Sequence, residues 1–120
     1  MLGLTEDLRF YLYTGNANMR RGLMSLCELV RTDMRVDPRD SRNVYIFMNR
    51  KRTIVRMVHY EMGFYVMYEK RPESGKFRRP VYDAKSGKYQ IRYADLVCLT
   101  ESVCRTEMRL PEGCIDTSNH

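Results

Sequence analysis

The 120-residue chain predicts an α+β domain: an antiparallel, meander-like sheet of four to six strands packed against one main amphipathic helix. Three observations lead there. Apolar residues at a spacing of three and four run through Leu23, Leu26, Val30 and Met34, as on one helix face. Several short segments elsewhere are continuously apolar or alternate, as strands do, and are separated by turn residues. The strand-like segments after the helix follow one another at hairpin distance, which makes an antiparallel meander the expected connection.

The elements follow in order. Leu8–Tyr13 (LRFYLY) is an aromatic strand and Gly15–Asn18 a turn. Asn18 has the chemistry of an N-cap, so the helix is expected from Met19. Cys27 lies beside the apolar stripe, and Arg20, Arg21, Glu28, Arg31 and Arg35 lie largely outside it. Pro38 and the polar run 37–42 end the helix. Val44–Met48 is an unbroken apolar run, the mark of a central strand buried on both sides. Thr53–Tyr60 alternates, with Val55, Met57 and His59 on one side and Ile54, Arg56, Val58 and Tyr60 on the other. Phe64–Tyr68 is a third strand after the turn Glu61-Met62-Gly63, and 72–80 is a polar linker. Val81–Tyr82 and Tyr89–Tyr93 are expected to pair across a turn at Ser86-Gly87, and Tyr93–Leu99 reads as a short closing helix. One domain over residues 1–100 with a polar tail over 101–120 is the expected organisation.

Charge is distributed unevenly. The formal net charge is +6, but residues 50–92 hold twelve basic and four acidic side chains, including all five lysines, and the remainder is slightly acidic. A central basic block in an otherwise neutral chain points to a directed surface. Within it, Arg50-Lys51-Arg52 and Lys70-Arg71 fall at the ends of apolar strands, one strand pair apart, so a shared sheet edge would make a positive ridge suited to phosphates. Charged strand ends also serve simply to solvate and blunt a sheet. Arg20-Arg21 at the expected helix start would add a second cationic patch beside free backbone N–H groups.

Other chemistries find little support. The acids sit singly in turns, on the helix surface and in the tail, whereas two-metal nuclease or transposase chemistry needs carboxylates converging on ions about 4 Å apart. No glycine-rich phosphate loop is present. The four cysteines have no CxxC spacing and the two histidines complete no zinc pattern, so neither metal nor cofactor is expected. His59, on an apolar strand face, reads as a satisfied core histidine. Cys27 and Cys98, in apolar surroundings, read as buried free thiols of a reducing compartment. The first fifteen residues lack a signal-peptide pattern, and no apolar run approaches the roughly 18 residues a membrane span needs. A cytoplasmic protein is therefore expected. Tyr45, Phe47, Tyr60, Phe64, Tyr65 and Tyr68 beside the basic turns are either core or, on an open face, platforms for bases.

Several of these segments together resemble one family. Asn18-Met19-Arg20-Arg21-Gly22 with Leu26 and Leu29-Val30 is similar to the "DMR-basic … L … LV" opening of the small Orf2-like, TnpB-type accessory protein of bacterial insertion-sequence family sixty-six. Val44–Arg52, VYIFMNRKR, resembles its "VFIFxNRRR" run. Val55–Tyr60 with Gly63-Phe64 resembles its "IKLLxW…GF" block, and Tyr68 with Lys70-Arg71 and Gly75-Phe77 its "YKRLE…GxF" block. The resemblance covers about residues 8–79. Asn18 replaces the usual Asp, Tyr60 the usual Trp and Pro72 the usual Leu.

The resemblance implies a non-catalytic protein encoded beside a separate transposase and needed for efficient transposition, unrelated to the RNA-guided nucleases that share the TnpB label. Combined with the charge pattern, it gives two readings. In the first, the chain binds DNA, at element ends or in the transposase–DNA assembly, through Arg50, Lys51, Arg52, Lys70 and Arg71, with Arg20 and Arg21 as a second patch. In the second, it is an adaptor that binds the transposase without touching DNA.

Overall fold

A computed structural model describes residues 4–5, 7–81, 87–101 and 108–109. In chain order the elements are β1 (Arg9–Tyr13), α1 (Leu23–Thr32), β2 (Asn43–Met48), β3 (Val55–Glu61), β4 (Phe64–Lys70), β5 (Pro80–Val81), β6 (Lys88–Ile91), α2 (Tyr93–Glu101) and β7 (Met108–Arg109). Five strands form one sheet in the order β4-β3-β2-β1-β6, and β5 and β7 form a second, two-stranded one. The class is α+β, as expected, and β2–β3–β4 is the expected antiparallel meander.

The sheet is not purely antiparallel. β1 lies parallel to β2, with Phe10 beside Val44 and Leu12 beside Ile46. A parallel neighbour cannot be reached through a tight turn; the chain must return to the starting end through a crossover, and α1 provides it. The sheet is therefore mixed. β6 closes it against the other side of β1, antiparallel, with Ile91 opposite Phe10 and Lys88 opposite Tyr13. This also corrects the expected pairing of the segment at Val81 with that at Tyr89. Tyr89 pairs with β1 and the 80–81 strand with β7, while residues 82–86 fall outside the described part of the chain.

The core follows from strand alternation. All six residues of β2 are buried, as its unbroken apolar sequence requires. Val44, Ile46 and Met48 point to one face, where they join Phe10, Leu12, Val55, Met57, Phe77, Ile91 and, from α2, Leu96 and Leu99. Tyr45 and Phe47 point to the other, where Val58 and, from α1, Leu26, Cys27, Val30 and Met34 complete a second cluster. Two helices thus contribute to two buried clusters on opposite faces, where the sequence suggested one main helix. Tyr45 and Phe47 are core residues with no exposed surface, not stacking platforms. Burial pushes the Tyr45 hydroxyl up to about 12, and the phenol donates to the Asp37 carbonyl. His59 is likewise buried, with Nδ1 3.0 Å from the Asn43 carbonyl. Cys27 and Cys98 are free thiols, and burial raises the Cys27 thiol above its ordinary range.

The boundaries of α1 differ from those the pattern suggested. The Asn18 side chain accepts the Arg20 N–H, and its carbonyl accepts that of Arg21. This local turn takes the place of a helix cap, as short amide side chains often do. The helix starts later, with Gly22 in an extended conformation at its N-cap. It ends before Pro38 because Arg35 turns left-handed (φ 59°) and the Val36 N–H folds back on the Val30 carbonyl. The β3–β4 connection is a tight turn with positive φ at Met62 (49°) and Gly63 (87°), the signs that match strand twist in a two-residue hairpin.

Phe47 is fully buried against the α1 cluster with its ring 5.5 Å from that of Tyr13. Phe47→Ala is expected to lower unfolding stability by about 3–5 kcal/mol, read from urea denaturation.

Candidate nucleic-acid interface

The strand register brings the cationic segments to one end of the sheet. β1 and β2 both finish there, because they are parallel. The β2–β3 turn follows directly, and the Val55–Lys70 pair shows that β4 finishes there too. The loop after β1, which carries Arg20 and Arg21, is tied to the same end by the Ala17 N–H, which donates to the Met48 carbonyl. Three segments distant in sequence, 14–22, 49–54 and 70–79, therefore converge.

Asn49 organises the central turn. Its side-chain oxygen accepts the N–H groups of Thr53 (2.9 Å) and Ile54 (3.0 Å), and its amide nitrogen donates to the Thr53 hydroxyl (3.0 Å). Its backbone N–H bonds the Ile54 carbonyl and its carbonyl accepts the Arg52 N–H. With Arg52 left-handed (φ 59°), the turn closes and carries Arg50 and Lys51 into solvent. The 71–79 segment then docks on it. The Phe77 N–H donates to the Arg52 carbonyl at 2.8 Å, the Arg52 guanidinium donates to the Phe77 carbonyl, and the Phe77 ring is buried in the core. Lys76, Arg78 and Arg79 are thereby held next to the Arg50–Arg52 turn. They were visible in the sequence only as part of the basic block, because nothing in a polar linker marks which residue will be anchored.

The seven cations singled out from the sequence differ in their surroundings. Arg50, Lys51 and Arg20 are exposed, and no acidic side chain pairs with them among the described residues. Arg52 bonds the Phe77 carbonyl and Arg21 the Ser25 hydroxyl. Lys70 and Arg71 are ion-paired, with Glu101 and Glu69 respectively. Arg20 and Arg21 sit in the Asn18 turn just before the N-cap Gly22, and the Arg21 guanidinium reaches Ser25 in the first turn of α1, so the helix starts three residues after Arg20 and not at Met19.

Arg56 is the residue whose role the sequence did not disclose. It is nearly buried on β3, opposite Glu69, and its Nε donates to that carboxylate at 2.6 Å while Nη1 donates to the Arg21 carbonyl at 2.8 Å. One guanidinium thus ties the Arg20–Arg21 loop to β3 and β4. Its only sequence signal was a charge at an inward position of an alternating strand. The Arg71 guanidinium, then Arg56, holds the Glu69 carboxyl below its usual range.

At the opposite end of the sheet three arginines are ion-paired, sharing two aspartates. Asp40 pairs with both Arg9 and Arg42, and Asp37 with Arg39. The Arg42 guanidinium, helped by its own backbone N–H, holds the Asp40 carboxyl down at about 2. Among the described residues, the arginines at this end are therefore paired with acids, whereas Arg20, Arg50 and Lys51 at the other are not.

Between the two exit loops at the cationic end lies a cleft of about 380 Å3, lined among others by Tyr13, Gly15, Asn16, Arg50, Arg52 and Arg79. Among the described residues, no three His, Cys, Asp or Glu side chains gather as a metal would require, and no helix is long and apolar enough to cross a membrane.

The family model described as "IS66 Orf2 like protein" matches residues 8–109. The chain belongs to that family. The match runs some thirty residues beyond the motifs recognised in the sequence, through β6, α2 and β7, so the family pattern spans both helices and the whole main sheet. Membership places this Orf2-like protein among the products of insertion sequences, mobile elements that move by transposition. It is also 26% identical over 103 residues to "Uncharacterized protein y4hO" of Sinorhizobium fredii (strain NBRC 101917 / NGR234), covering 86% of this chain and 87% of that one. No solved structure matches the chain.

Two outcomes are expected from this geometry. Asn49→Ala removes three side-chain hydrogen bonds from the turn and should cost about 1–3 kcal/mol of unfolding stability, with hydrogen exchange at Arg50–Ile54 rising more than elsewhere. Because the folded Asp40 carboxyl titrates below its unfolded value, its contribution is present above about pH 4 and is lost as the pH falls towards 2. Asp40→Asn should flatten the acid limb of the stability curve in that window, measured by urea titrations at stepped pH.

Proposed function

We propose that this IS66 Orf2-like protein is a non-catalytic accessory factor of transposition that binds DNA through the cationic end of its sheet, at element ends or within a transposase–DNA assembly. The observation that carries the reading is the contrast between the two ends. Arginines at the far end are ion-paired with Asp37 and Asp40, which weakens their field, whereas Arg20, Arg50 and Lys51 project from hydrogen-bonded turns without acidic partners among the described residues. Guanidinium and ammonium groups held in this way favour phosphates, and the energy comes mainly from releasing condensed counterions. Such contacts orient a protein on DNA without reading its sequence. Lys70 and Arg71 belong to the same end, and a phosphate would have to compete there with Glu101 and Glu69.

A second reading, an adaptor for the transposase, has an observation of its own. β4 is the edge of the sheet, and at its start Met62 and Phe64 are 94% and 68% exposed. An exposed strand edge beside apolar side chains suits strand addition by a partner chain. This surface lies at the opposite end from the basic turns, so the two readings are separable by mutation.

The test is joint replacement of Arg50, Lys51 and Arg52 by Gln, with circular dichroism confirming the fold. Loss of three phosphate contacts should reduce the slope of log affinity against log salt by about 3 and weaken binding at least about tenfold at low salt. Unchanged affinity and slope would overturn the DNA-binding reading. A native protein that co-elutes with transposase and ignores DNA at low salt would establish the adaptor.

A further inference from the structure

The cleft between the β1 exit loop and the β2–β3 turn calls for a different ligand geometry from the ridge beside it. Duplex DNA presents its phosphates on a convex cylinder, and surface side chains reach them without any cavity. A recess of about 380 Å3, within the range that holds small organic ligands, serves a group that leaves the stack. Its lining combines two chemistries. Arg50, Arg52 and Arg79 bring three guanidiniums, whose planar forks match phosphate oxygens. Leu12, Met48 and Tyr13 are also among the lining residues, Leu12 and Met48 being themselves buried.

The walls are held in place. The Tyr13 hydroxyl donates to Asp33 at 2.7 Å and its ring packs on Phe47. Arg52 is fixed by its bond to the Phe77 carbonyl. Gly15 lies so close to Tyr13 that a Cβ there would stand 2.9 Å from the ring, so any larger residue would press on that wall. The position also fits the fold, because the recess lies outside the carboxyl ends of the parallel pair β1 and β2, where open sheets with a crossover helix form ligand crevices.

We propose that this cleft receives one unpaired nucleotide of a DNA strand, its phosphate held by the arginines and its base lodged between the β1 exit loop and the β2–β3 turn, so that the protein prefers single-stranded or frayed DNA to continuous duplex. The inference rests on the DNA-binding reading and narrows it to strands that are opened or ended, the state DNA passes through when an element is cut free.

The experiment compares fluorescence anisotropy of the full chain with a twelve-nucleotide thymidine strand, a blunt duplex of the same length and a duplex with a three-nucleotide overhang, at one salt concentration. The single strand should bind about tenfold tighter than the blunt duplex, the factor one stacked base supplies, with the overhang between them. Arg79→Gln should lower single-strand affinity about fivefold and leave the duplex within about twofold. In the native protein, a four-nucleotide thymidine strand should shift the amide NMR signals of Gly15 and Asn16. Equal or tighter binding to blunt duplex, or shifts confined to other surfaces, overturns the cleft proposal and leaves DNA binding standing. No binding to any DNA at low salt overturns both.

Discussion

The parallel register of β1 against β2 decides where the rest of the chain can go. Phe10 beside Val44 and Leu12 beside Ile46 require the chain to leave one end of the sheet and re-enter at the other. The segment between, with α1, covers one face on the way. A parallel pair at the sheet centre is stable only when both faces are covered, and residues of α2 complete the buried cluster on the second face. The same register brings the ends of β1 and β2 together, and the two antiparallel hairpins that follow return β4 to that end. The gathering of cations is thus a consequence of strand direction as much as of composition.

Composition alone would not keep those cations apart from acids. The chain carries fifteen Asp and Glu, and the fold pairs several of them with cations at both ends of the sheet. Asp37 and Asp40 bind Arg39, Arg42 and Arg9 at the far end, and Glu69 and Glu101 take Arg71 and Lys70. Exposed pairs of this kind add little stability, typically under about 1 kcal/mol each. Their larger effect is on the field, because they leave the excess charge on the Arg20 loop and the Arg50–Lys51 turn. Arg56 is a partly different case: nearly buried and bound at both ends, it holds the loop to the sheet and so fixes where that charge projects.

Much of this was legible in the sequence, and the failures have physical causes. The buried strand at Val44–Met48, the alternation at Val55–Tyr60 and the Met62-Gly63 turn are local patterns, and they appear in the fold within a residue or two. Strand direction is not a local property: nothing in Leu8–Tyr13 says whether it will lie parallel or antiparallel to β2. Asn18 has the side chain of a helix cap but closes a turn four residues before the actual N-cap, Gly22, because its amide competes for the nearest N–H groups. The Arg50–Arg52 turn was evident as a charge run, and the role of Asn49 in shaping it was not. Lys76 and Arg79 join the cationic end only through the anchoring of Phe77, a contact between segments twenty-five residues apart.

The central claim is that DNA meets the cationic end of the sheet. Hydrogen–deuterium exchange, read peptide by peptide with and without a duplex carrying the element's terminal repeat, tests it directly. Slower exchange confined to the loop 14–22, the turn 49–54 and the segment 71–79 is the predicted result. Protection instead at the Met62–Phe64 tip or around Arg39 and Arg42, or none at any segment at low salt, would contradict it.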